Sequence, residues 1–384
     1  MKLNSNRILA THVGSLPRSR TVVDLLFKRE HAEAYDQNEF DSVMAQAVLE
    51  TVRKQFEIGI DIVSDGETSK TGYATYIKDR LTGFSGDTPR QIALDLQDYP
   101  EFRSRMAVFA GKQGFKRQSC TGPIEYVGHT DLHKDIAHMQ AALSKYPAAR
   151  GFLNAASPGV VSAFQPNSYY NSHSGYVEAI GEAMQQEYET IARAGLILQL
   201  DCPDLAMARH TGFQDLSESE FLTRAEHQVE VMNHALRNLP ADSLRMHVCW
   251  GNYEGPHDHD IPLEKILNII LKAKPAAILF EASNPRHAHE WIVWKSARIP
   301  DDKILIPGLL TSTSNYVEHP ELVSQRLCQF ADIVGRDRVM AGTDCGFGTF
   351  AGIGKMDAAI SFKKLRALVE GAQQASTKLW PVDE

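Results

Sequence analysis

Four side chains in this 384-residue chain could share one cation. His247 and Cys249 lie two apart in Leu244-Arg-Met-His-Val-Cys-Trp-Gly-Asn252, which reads as a buried strand ending in a glycine turn. Alternate side chains of a strand share a face, so this imidazole and thiol point the same way. Glu281 ends the apolar run Ala276-Ala-Ile-Leu-Phe280, and Cys345 follows Arg338-Val-Met-Ala-Gly-Thr-Asp344. A His/Cys/Glu/Cys set suits tetrahedral Zn2+. Such an electron-rich shell is a poor Lewis acid for hydrolysis. It suits a different task, holding a guest thiol as thiolate so that its sulfur attacks an alkyl carbon.

The remaining cysteines read differently. Cys328 falls in a helical pattern and Cys120 in an irregular stretch, while Cys202 ends a strand and is expected to pack. His257 and His259 follow the fifth expected strand, and His287 and His289 follow the sixth. Both pairs are placed on loops and read more readily as substrate contacts than as metal ligands.

Residues so far apart can meet only if the fold gathers strand ends. Eight short apolar runs do this, near 8–13, 59–63, 152–156, 196–200, 244–249, 276–281, 304–308 and 338–343. Helical patterns follow most of them. Continuous Val/Ile/Leu strands alternating with helices imply a parallel sheet covered on both faces. The expected fold is α/β: a single (β/α)8 TIM barrel over 1–384, with an irregular insertion at about 68–150 between strands two and three and a loose tail after about 376. Polar residues concentrate at the expected strand ends: His12, Ser15, Asp65, Glu67, Asp201, Asp204, His247, Cys249, Glu281, Asp344 and Cys345. Barrel enzymes build their sites on that rim.

Composition narrows the classes. A charge of −8 argues against nucleic acid and anionic membranes as partners. No apolar run approaches a membrane span, and the N-terminus lacks a signal-peptide core. Five widely spread cysteines point to a reducing cytoplasm. Neither a Gly-x-Gly-x-x-Gly nor a Gly-Lys-Ser/Thr loop supports nucleotide binding.

With these residues in place, the sequence resembles the cobalamin-independent methionine synthase family, in its C-terminal catalytic barrel. The motifs are Val13-Gly-Ser-Leu-Pro-Arg18, Asp65-Gly-Glu67, Leu198-Gln-Leu-Asp-Cys-Pro203, His247-Val-Cys249, Glu281 and Asp344-Cys-Gly346. The resemblance implies that Glu67 and Asp201 hold the amino group of a thiol such as homocysteine, and that Gly14 and Ser15 meet its carboxylate. It implies zinc-dependent S-methylation of homocysteine to methionine, with His287 or Asp344 protonating the leaving group of the donor. The chain departs from the large enzymes in lacking their second barrel-like half, which helps bind polyglutamyl folate, and in reading Asp-Cys-Pro where they have Asp-Glu-Pro. It is closer to a short, single-barrel branch related to the epoxyalkane:coenzyme M transferases. Arg18, Arg209 and Arg286 could then meet a sulfonate or carboxylate. The alternatives are a thiol transferase acting on an epoxide, a methyltransferase fed by a corrinoid protein, or a zinc-stabilised binding barrel without catalysis. The expected partners are a small-molecule thiol and an alkyl donor, with the oligomeric state open.

Overall fold

The structure, a computed structural model, describes residues 6–110, 117–353 and 356–381. Among the described residues eight strands form in chain order: β1 Ile62–Ser64, β2 Phe84–Ser85, β3 Ser119–Cys120, β4 Arg150–Ala156, β5 Ile197–Asp201, β6 Leu244–Val248, β7 Ala277–Phe280 and β8 Ile304–Pro307. Six of them make one parallel sheet in the order β1-β4-β5-β6-β7-β8. From β5 to β8 every strand residue is buried, as apolar runs covered on both faces must be. The sheet curls, so that Ile62, Phe152, Ile197, Leu279 and Ile306 meet Val13 and Met340 in one apolar core. The larger core lies between the outer face of the sheet and its helices.

Two of the eight expected strands are not ladders. Residues 8–13 and 338–343 join the sheet through single parallel bridges, Ala10 with Ala341, Leu305 with Val339, and Gly308 with Gly342. Side chains interrupt the pairing there. Ala10 N donates to Asp61 Oδ2 at 2.8 Å and Val13 N to Thr343 Oγ1 at 3.3 Å. Backbone bonds still tie these segments in: Thr11 N to Ala341 O at 2.9 Å and Asp61 N to Ala10 O at 3.0 Å.

The helices carry their own start and stop signals. Asp36 caps helix Gln37–Ile58 by accepting from Asn38 N and Glu39 N, and Gly59 ends it at φ +99°. Ser217 and Glu220 form a capping box on helix Glu218–Ala235. Between β1 and β4 lie the antiparallel β2–β3 pair, helices Leu94–Asp98, Pro100–Ala110 and His129–Leu143, and irregular chain. The last helix, Ala358–Leu379, runs past the expected end near 376, and 382–384 lie outside the described residues. Among the described residues no helix is long and apolar enough to cross a membrane.

An arginine stands inside the curl. Arg245 of β6 is fully buried, donates to Thr11 Oγ1 and His12 O, and lies 3.5 Å from the Phe152 ring centroid. Burial lowers its pKa to about 9, partly offset by the charge of Asp201. It fastens the 8–13 segment to the centre of the sheet.

Candidate metal centre

β6 presents His247, and Cys249 follows just past its end. Gly251 then turns the chain at φ +125°, a conformation that favours glycine. Cys345 arrives on the loop after Gly342. The ligand atoms of His247, Cys249 and Cys345 lie within 4.8 Å of one another, and all three residues are buried. This is the one such group among the described residues. Glu281 stands beside it. Its Oε1 is 3.8 Å from Cys345 Sγ and accepts from Trp250 N at 2.7 Å, while Oε2 accepts from Asn284 Nδ2 at 2.9 Å.

The donor set asks for a cation. Burial, then the neighbouring Cys249, Glu281 and Asp344, push the Cys345 thiol well above its usual range. Burial and the charge of Glu281 do the same to the Asp344 carboxyl. Groups that would all be anionic are thus crowded into one dry place, and a divalent cation that accepts Cys, His and carboxylate ligands would be their complement. Burial opposes a charged His247, but Asp201, Cys249 and the Asp344 carbonyl together raise its pKa to about 9. Its Nε2 lies 2.9 Å from Asp344 O and its Nδ1 3.6 Å from Asp201 Oδ1. A cation taking an imidazole nitrogen displaces a proton, so uptake strengthens with rising pH.

A cavity of about 280 Å³ lies against the triangle, and His247, Cys249, Cys345, Ser15, Glu67 and Asp201 line it. Glu67 has φ +53° and is 2% exposed, and its Oε2 has no hydrogen-bond partner. Burial raises its pKa to about 7; the charge of Lys70 opposes this and that of Asp201 adds to it. Asp201 is oriented by Asn154 Nδ2 at 3.0 Å and Gln199 Nε2 at 3.1 Å. Two carboxylates, one of them with an unpartnered oxygen, suit an ammonium group.

Gly14 does not line the cavity, and it acts one residue removed. A Cβ there would stand 2.3 Å from Asn154 Oδ1, on a backbone at φ +139°. Gly14→Ala is therefore expected to destabilise the chain by about 1–3 kcal/mol in denaturant unfolding. It should also weaken the binding of an amino-bearing thiol, because Asn154 would swing away from Asp201.

His287 is not turned toward either cavity beside the triangle. It stacks on Trp250 with centroids 4.0 Å apart, and its nitrogens meet Glu290 Oε2 at 2.8 Å and Asp260 Oδ2 at 2.9 Å. Asp260 also holds His257 at 2.8 Å. Asp344 borders a second cavity of about 420 Å³, which shares Cys345, Asn252 and Tyr253 with the first. Its Oδ1 accepts from Ala282 N and Ser283 N, both at 2.9 Å. His259 pairs with Asp98 at the surface. Cys202 packs near Met232, with its sulfur 3.7 Å away. Arg18 is committed to Glu67 O and Gly348 O.

Sequence reasoning passed over Asn154, Gln199 and Arg245. Each is a polar residue within an otherwise apolar strand, and that mismatch was the available signal.

Comparison with known proteins gives a consistent picture. The family model described as "Cobalamin-independent synthase, Catalytic domain" matches residues 8–98. A methionine synthase of Saccharolobus solfataricus is 23% identical over 381 residues, covering 96% of this chain and 95% of its own. The uncharacterized protein YxjH of Bacillus subtilis is 24% identical over 347 residues, covering 88% and 87%. The structure of a B12-independent methionine synthase from Shewanella sp. W3-18-1, in complex with selenomethionine, shares the fold. It has a TM-score of 0.71 and 17% identity, over 98% of this chain and 100% of that one.

Proposed function

We propose that the chain, which is similar along most of its length to cobalamin-independent methionine synthases, is a zinc-dependent methyltransferase of that family that converts homocysteine to methionine. One observation carries the reading. Three buried ligand atoms within 4.8 Å of one another border the same cavity as a carboxylate oxygen that has no partner. A thiol and an ammonium on one small molecule satisfy both.

In this reading His247, Cys249 and Cys345 hold the ion, and Glu281 is its fourth neighbour. Zinc, when bound, supplies the positive charge that keeps a thiol ionised near neutral pH. Glu67 and Asp201 take the amino group. Ser15 takes the carboxylate, and Gly14 acts one residue removed, by leaving room for the Asn154 amide that orients Asp201. The sulfur gains a methyl group, and the donor leaves with the electron pair of its broken bond. Of the two candidates for protonating that leaving group, Asp344 borders a cavity at the triangle, whereas His287 is held by Asp260 and Glu290. A sulfonated thiol such as coenzyme M would leave the carboxylate pair without a counter-ion. A cytoplasmic setting suits the chemistry, since a reducing compartment keeps Cys249 and Cys345 as thiols.

The fold belongs to the same proposal. The bridged segments at Ala10 and Ala341 serve as the two remaining staves, which closes a (β/α)8 barrel in a single domain, with 68–150 as an insertion.

Calorimetry on zinc-loaded and zinc-stripped protein tests the reading without a known donor. Homocysteine is expected to bind the zinc form, at one zinc per chain and with proton release, and to bind the stripped form at least about tenfold more weakly. Equal binding to both forms would overturn it. Methionine formation with methyltetrahydrofolate or methylcobalamin then identifies the donor.

A further inference from the structure

The turn that carries Ser15 to the 280 Å³ cavity is held from behind by a buried relay. Gln55, on helix Gln37–Ile58, is fully buried and donates both hydrogens of its amide, to Thr51 O at 3.0 Å and Ser64 O at 2.8 Å. Its Oε1 is therefore the acceptor, for Ser64 N at 2.9 Å and for His12 Nε2 at 2.7 Å. That places the imidazole hydrogen on Nε2 and leaves Nδ1 as a lone pair, to which Gly14 N donates at 3.2 Å. A second ring hydrogen would face that N–H, so the geometry calls for a neutral ring. Burial lowers its pKa to about 4; the bond to Gln55 opposes this and the charge of Arg245 adds to it. Ser64 Oγ closes the relay by donating to Gly14 O at 2.9 Å.

Gly14 is thus fastened at both its N–H and its carbonyl. Ser15 is the reverse. It is 3% exposed, its O accepts from Phe347 N at 2.9 Å, and its N and Oγ make no hydrogen bond among the described residues. Two neighbouring donors left open in a buried turn suit the two oxygens of a carboxylate. We propose that His12, braced by Gln55 and Ser64, is a positioning residue that sets these donors and so makes the site select a thiol that carries a carboxylate. His12 does not line the cavity; it stands behind the turn, its ring 5.5 Å from that of Phe152 between centroids. This rests on the reading of the cavity floor as the thiol site.

Calorimetry on the full, zinc-loaded chain compares homocysteine with 3-aminopropane-1-thiol, the same molecule without its carboxylate. The wild type is expected to prefer homocysteine by about 30-fold or more. His12→Leu leaves Gly14 N without an acceptor. It should cut that preference to within about threefold and leave the affinity for the aminothiol within about twofold of wild type. His12→Asn should keep a preference of at least about tenfold, because its Oδ1 can stand where Nδ1 stands. The proposal is overturned if His12→Leu keeps the wild-type preference, or if it weakens both thiols alike, as a general distortion would. If His12→Leu does not fold, Ser64→Ala decides. Losing the hydroxyl on Gly14 O should lower the preference by about fivefold, and an unchanged preference overturns the proposal. A wild type that binds the two thiols alike would remove Ser15 from the carboxylate site and this proposal with it. A wild type that discriminates, beside a His12→Leu that does so equally, would sink this proposal alone.

Discussion

Serine in place of Cys345 is expected to lower zinc affinity by at least about 100-fold, and methyl transfer with it, while the fold persists. The substitution is nearly isosteric, but a hydroxyl does not ionise near neutral pH and is a poor partner for zinc. The loop does not depend on the sulfur. Cys345 O accepts from Thr343 Oγ1 at 2.9 Å, and Phe347 N donates to Ser15 O at 2.9 Å. Burial and the neighbouring Cys249, Glu281 and Asp344 keep this thiol protonated in the stripped protein, so the neutral hydroxyl replaces a neutral group and the stripped variant should melt no lower than stripped wild type. Zinc content after competition with a chelator, read beside a circular-dichroism melt, separates the two effects. Retention of zinc at wild-type affinity would remove Cys345 from the ligand set.

Glu67→Gln should act in opposite directions on binding and on stability. An amino-bearing thiol loses one of its two carboxylates, and its apparent affinity should fall by about 30-fold or more. The stability sign follows from the pKa. Burial raises Glu67 from 4.5 to about 7, so the folded chain holds this proton more tightly than the unfolded one. That contribution is fully present below 4.5 and is lost as pH rises through about 7. Above 7 the stripped protein carries a buried charge that the neutral amide avoids. At pH 8, Glu67→Gln is therefore expected to melt higher than wild type, with the gap closing in acid. Added homocysteine should reverse the order. In wild type, homocysteine binding should weaken as pH drops below 7. A variant that binds homocysteine normally, or melts lower at pH 8, would remove Glu67 from the amine site.

Much of this was readable in the chain itself, for identifiable reasons. Strands β5 to β8 are short runs buried on both faces, so most of their residues had to be apolar. His247 and Cys249 show themselves because such a run has no other use for an imidazole and a thiol two residues apart. Long-range side chains hid the rest. Residues 8–13 and 338–343 have strand composition, yet Asp61 and Thr343 take the backbone bonds that a ladder would have used. His287 lies on a loop that ought to overhang the site, but Glu290, three residues on, draws the ring aside. Gly14 looked like a contact for the substrate carboxylate. Its closest geometric constraint is the amide of Asn154, which no local pattern foretells.

The single bridge between Ala10 and Ala341 has a thermodynamic consequence. The sheet is laced most thinly along that seam, and Cys345 sits just beyond it, opposite the well-paired strand that carries His247. An ion gripped by both sides would rivet the seam shut, so metal supply would govern the rigidity of the curled sheet as well as its reactivity.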